Sequence, residues 1–82
     1  MNKLKQFFGK NVTMEILVGD EACMCKQYDD FIALHTENSL VFTGNTEDQV
    51  AINKSAVNKC EILNDDSLNI ITKTMKIIIW EN

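Results

Sequence analysis

Between Val12 and Val18, the apolar residues Val12, Met14, Ile16 and Val18 occupy every second position, with Thr13 and Glu15 between them. This period-two pattern gives a strand one apolar face, which has to be buried against further β structure. Leu17 is the exception on the outer face. Gly19-Asp20-Glu21 is a turn signal, and Ala22 to Tyr28 reads as a second strand pairing back as a hairpin. Phe31 to Thr36 reads as a third strand, apolar on both faces. Leu40 to Thr43 either continues it past a kink at Glu37-Asn38 or forms a short extra strand. Gly44-Asn45-Thr46-Glu47-Asp48 is the clearest loop. Val50 to Asn53 and Ala56 to Leu63 predict two further strands around a Lys54-Ser55 corner. After a loop at Asn64-Asp65-Asp66-Ser67 comes a β-prone segment, Leu68 to Trp80. Before all of these, Asn2 to Phe8 predicts a short helix with Leu4, Phe7 and Phe8 as its apolar side, ended by Gly9-Lys10-Asn11. Short strands with closely spaced turns predict a mainly β fold, a small barrel or sandwich.

The 82 residues make one domain, because so short a chain cannot fill two cores. A domain of this size buries only about 60–65% of the surface its unfolded chain exposes, so oligomerisation is an expected source of extra stability. Met75-Lys76-Ile77-Ile78-Ile79-Trp80 is weakly charged and free of proline, and left exposed it would aggregate. It is expected to pair with the rest of the domain or with a neighbouring subunit.

Charge narrows the partners. The net charge is −4, from 12 acidic residues and 8 lysines, with no arginine. Bidentate contacts to phosphate or guanine are therefore excluded, and duplex DNA is not an expected ligand. Lysines are nonetheless clustered: Lys3, Lys5 and Lys10 at the start, Lys54 and Lys59 later. The three cysteines are an odd number with no apolar leader before them, which predicts reduced thiols in a cytoplasm. The apolar run Ile77 to Trp80 is far short of a membrane span. Abundant Asn, Ile and Lys without Arg suggest an AT-rich coding source, a bacterium or phage.

Enzyme chemistry finds little support. His35 is the only histidine and no nucleophile motif accompanies it. Asp29-Asp30 and Asp65-Asp66 lack the spacing of a calcium loop or a two-carboxylate hydrolase. Cys23-x-Cys25 has no matching second pair, so neither a zinc site nor any other metal or cofactor is expected. The glycines, Gly9, Gly19 and Gly44, are too scattered for a phosphate loop. No catalytic residue is assigned.

One spacing pattern remains. Gly9-Lys10-x-Val12-x-Met14-x-Ile16-x-x-Gly19, then Tyr28-Asp29-Asp30-Phe31-Ile32-Ala33-Leu34, then Ala51-Ile52-Asn53-Lys54-Ser55-Ala56-Val57, resembles the Sm-like family, in its bacterial Hfq-type branch. The resemblance implies a strongly bent five-stranded barrel over residues 1–63 with a short N-terminal helix, here followed by an added C-terminal strand at 68–80. It also implies homo-oligomeric rings closed by edge-strand pairing, and single-stranded RNA bound around a pore. On matching positions it assigns Phe31 as the stacking aromatic, Asp30 as its neighbour and Lys54 as the corner lysine flanked by Asn53 and Ser55; Lys10 would join the lysine rim.

Two functional expectations follow. The first is a non-catalytic oligomeric protein binding short single-stranded RNA or a small nucleotide. The alternative is a protein-interaction or assembly module, phage- or plasmid-encoded, offering Met75, Ile77, Ile79 and Trp80 to a partner sheet by β-addition.

Overall fold

The computed structural model describes residues 2–82, with the side chains of Asn2, Thr46 and Glu47 outside the description. A 3₁₀ helix, Asn2–Phe7, precedes strands β1 (Val12–Val18), β2 (Glu21–Tyr28), β3 (Ile32–His35), β4 (Ser39–Gly44) and β5 (Thr46–Asn53). A 3₁₀ turn, Lys54–Ala56, leads into β6 (Val57–Ile62), β7 (Leu68–Thr72) and β8 (Met75–Glu81). The fold is thus mainly β, as expected.

The closed five-stranded barrel is not what forms. Two antiparallel sheets do, one of five strands in the order β2-β1-β8-β7-β6 and one of three in the order β3-β4-β5. The chain changes sheet at two corners. Residues 29–31 carry it from β2 to β3, and the turn Lys54–Ala56 carries it from β5 to β6. Asp30, with φ +53, takes the left-handed conformation at the first corner, which Asp tolerates better than most residues.

Alternation explains the larger sheet. Val12, Met14 and Ile16 point into the core, and so do Ile77 and Ile79 of β8 and Leu68 and Ile70 of β7. From the other sheet come Phe31, Ala33, Leu40, Phe42 and Ile52, with Leu4 and Phe7 of the 3₁₀ helix added to the same cluster. Burying one such side chain contributes about 1.5–3 kcal/mol.

The C-terminal segment corrects an expectation. Residues 68–80 are not one added strand but β7 and most of β8, joined by a tight turn. There Thr72 Oγ1 accepts from Met75 N at 2.9 Å and donates to Met75 O at 3.2 Å. β8 lies in the middle of the sheet, paired with β1 on one side and β7 on the other. Its backbone has no free edge, and Ile77 and Ile79 are 0% exposed, so β-addition through Met75, Ile77, Ile79 and Trp80 is sterically closed. Residues 44–48 are similarly not an open loop, because β5 begins at Thr46.

Two glycines are required by geometry. Gly19, with φ +63, sits in the two-residue turn between Val18 and Glu21, which pair in the β1–β2 hairpin. At Gly44, a Cβ would come within 2.6 Å of the Asp29 carbonyl oxygen and 3.0 Å of Tyr28 Cβ, since here the β4–β5 hairpin meets the first corner.

Two substitutions test this architecture. Gly44→Ala is expected to cost roughly 1–3 kcal/mol of stability, the usual cost of overpacking, read as a lower urea midpoint. Ile77→Ala should cost about 2–5 kcal/mol, as a cavity between two paired neighbours. An Ile77→Ala protein of unchanged stability would contradict the central placement of β8.

Candidate functional site

The residues singled out from the sequence fall on the two corners. At the first, Phe31 N donates to Lys10 O at 3.0 Å and Gly9 N donates to Phe31 O at 2.9 Å, so the segment after the N-terminal helix lies against the start of β3. Asp30 is exposed there. Phe31 itself is 0% exposed; its ring stacks on Phe42 at 6.2 Å and meets Phe8 edge-on at 6.3 Å. A base cannot stack on a ring enclosed in this way, so the surface role expected for Phe31 is corrected to a core role. Phe8, 36% exposed, is the nearest accessible aromatic and was not singled out from the sequence as a ligand contact. Lys10 pairs with Glu81 at 3.3 Å between two half-exposed side chains, which is worth little in stability.

At the second corner the residues act on one another. Asn53 Oδ1 accepts from Ser55 N at 3.0 Å and from Ser55 Oγ at 2.9 Å, capping the 3₁₀ turn. Lys54 donates from Nζ to the Thr36 carbonyl and from its backbone N to Asn38 O, tying the corner to the β3–β4 loop. Lys54 therefore lies beside His35, the last residue of β3. Partial desolvation lowers the His35 pKa below its ordinary value of 6.5, and the Lys54 and Lys5 ammonium groups lower it further. Lys5, His35 and Lys54 form a local basic corner on an acidic protein.

A second surface comes from the hydrogen-bond parity of the sheet. Asn11 O accepts from Asn82 N, so Asn11, Thr13 and Glu15 turn their backbone groups toward β8 while Val12, Met14 and Ile16 turn theirs toward β2. Their β2 partners Tyr28, Lys26 and Met24 are thereby satisfied. Cys25 and Gln27 consequently present N–H and C=O groups to the outside. This edge ends where Asn45 N donates to Asp29 O at 2.7 Å. Met24 is 41% exposed, and Ala22, Cys23, Cys25 and Gln27 are exposed as well. Comparison with family models, curated proteins and solved structures gives no match to this chain.

The other edges are better protected. The N-terminal helix packs along β3 and against β6, and Lys3 Nζ donates to Cys60 O of β6 at 3.1 Å. β5 carries the exposed, charged Asp48. β2 also has a bulge at Cys23, opposite the Ile16–Leu17 step, so its smooth part runs from Met24 to Gln27. The sequence did carry one sign of this edge: Ala22-Cys23-Met24-Cys25 lacks the clean alternation that marks a half-buried strand.

Because folding depresses the His35 pKa, the folded chain binds fewer protons than the unfolded chain below pH 6.5. Its contribution to stability is present above 6.5 and is lost as pH falls. The imidazole is expected to titrate below 6.5 by NMR, and Lys54→Gln should move that midpoint upward. An unmoved midpoint would mean that Lys54 does not lie beside the ring.

Proposed function

We propose that this chain is a non-catalytic assembly module whose copies associate by pairing β2 of one molecule with an edge of a second. The observation that carries this reading is the open backbone edge at Cys25 and Gln27 on a strand with Met24 exposed beside it. Copies of net charge −4 repel one another. They meet at least cost along an edge of low charge such as Met24 to Gln27, whose one charged side chain, Lys26, is paired with Asp48 at 3.2 Å. β-Addition is thus retained from the second expectation, but moved from β8 to β2. The exposed thiols of Cys23 and Cys25 fit a reducing compartment.

Cys25→Pro tests the proposal. Its N–H faces away from β1, so proline removes an edge donor without breaking the ladder to β1. Sedimentation of the unaltered protein should give a dimer or larger assembly, and the proline variant should sediment as a folded monomer. A wild-type protein monomeric at high concentration, or a variant that still associates, would remove β2 as the interface.

A second reading, small-anion binding, is favoured by the meeting of Lys5, His35 and Lys54. A nucleotide or the end of a short single-stranded RNA has the phosphate for that corner, with the ligand role shifted away from Phe31. Uridine monophosphate should then raise the His35 midpoint in NMR titrations, with an effect that fades as salt is added. An unchanged midpoint at saturating nucleotide excludes this reading.

A further inference from the structure

On the β2 edge, Cys25 combines an exposed thiol with backbone N–H and C=O groups that face outward. What that thiol meets depends on the opposite edge. The N-terminal helix packs against β3 and β6, and β5 carries the charged Asp48. The edge best suited to β2 is therefore β2 of a second copy. Such a strand pairs antiparallel with itself about a two-fold axis, and the contact closes at two molecules.

Antiparallel pairing sets outward-facing residues opposite outward-facing residues, so only a few registers are open. An axis through Lys26 sets two ammonium groups directly opposite, which is destabilising. An axis through Gln27 sets Cys25 opposite Asp29, whose carbonyl already accepts from Asn45 N at 2.7 Å. An axis through Met24 sets Cys25 opposite Cys23, in the bulge where the ladder is irregular. An axis through Cys25 avoids all three. Met24, 41% exposed, then lies opposite Lys26 of the partner subunit, whose aliphatic stem covers it.

We propose that Cys25 is a redox site on this axis, where oxidation joins the two copies of Cys25 in a disulfide that locks the dimer. The inference rests on the β2-edge reading and adds its register and its regulation. Opposite residues of a hydrogen-bonded antiparallel pair have Cα atoms about 5.5 Å apart, within the disulfide range of about 4.4–6.8 Å. Both thiols project from the outer face of the sheet, the face of Glu15. The oxidant is a low-molecular-weight disulfide such as oxidised glutathione. One Cys25 thiolate attacks it, forming a mixed disulfide and releasing a glutathione thiolate. The second Cys25 thiolate attacks the protein sulfur of that mixed disulfide, which forms the Cys25–Cys25 bond and releases the second glutathione. The protein thiols are oxidised, the glutathione disulfide is reduced, and the two protons pass to the glutathione thiolates. Excess reduced glutathione runs both steps backwards, so a reducing compartment keeps the dimer reversible.

Full-length chains with a single thiol test this. Cys23→Ser with Cys60→Ser leaves Cys25; Cys25→Ser with Cys60→Ser leaves Cys23, which is also exposed. With oxidised glutathione, the chain retaining Cys25 should form linked dimer at least about tenfold faster, because pairing holds its thiols at roughly millimolar effective concentration. Fragmentation mass spectrometry of the oxidised wild-type dimer needs no substitution and should find the Cys25–Cys25 link. Equal rates from the two chains, or a wild-type link through Cys23, would overturn the proposal. Sedimentation in reductant separates the two levels of the argument. A wild-type monomer there removes the β2 interface and this inference with it. A wild-type dimer that links no faster through Cys25 than through Cys23 removes the register and the redox site alone.

Discussion

The structure depends on β8 entering between β1 and β7. Without it, β1 and β2 would be an isolated hairpin, and isolated hairpins are marginal in water. β8 supplies backbone partners to both neighbours and places Ile77 and Ile79 against Met14, Ile16, Leu68 and Ile70. The smaller sheet then covers the apolar face so created, with Phe31, Leu40 and Phe42 as its contribution. The corners at residues 29–31 and Lys54–Ala56 only need to turn the chain between layers already specified by alternation. The polar residues of the second corner are accordingly engaged in local bonding, as the Asn53–Ser55 contacts illustrate.

Much of the secondary structure was legible because strand periodicity is a local property. β1, β2, β3 and β6 lie within a residue or two of the expected segments, and the Lys54-Ser55 corner is where it was read. Strand order is not local. Nothing between Leu68 and Trp80 states that the segment folds back on itself, or that its second half pairs with β1. Closure into a barrel likewise depends on contacts between distant edges, and here the edges stay in two separate sheets.

The same distinction governs the candidate site. A sequence pattern points to Asp30, Phe31, Asn53, Lys54 and Ser55, and the structure places all five at chain corners, where the Phe31 ring serves packing and the Asn53, Lys54 and Ser55 side chains bond locally. Residue type alone cannot separate an aromatic that offers its face from one that is enclosed. Phe8 and Phe31 differ in this respect although their rings touch. His35 gained its interest only through Lys5 and Lys54, which arrive from other parts of the chain. The outward amides of Cys25 and Gln27 follow from hydrogen-bond parity across three strands, information that no single segment contains.

The position of β8 also bears on how the molecule is made. During synthesis β8, one of the two hydrogen-bonding neighbours of β1, leaves the ribosome only after β2 to β7 have done so. The apolar face of the β1–β2 hairpin must therefore wait, partly uncovered, while β3 to β7 are added. Folding of this kind ends in a late, long-range closure rather than growing outward from the first hairpin. Proteostasis factors would meet the nascent chain with Val12, Met14 and Ile16 still accessible.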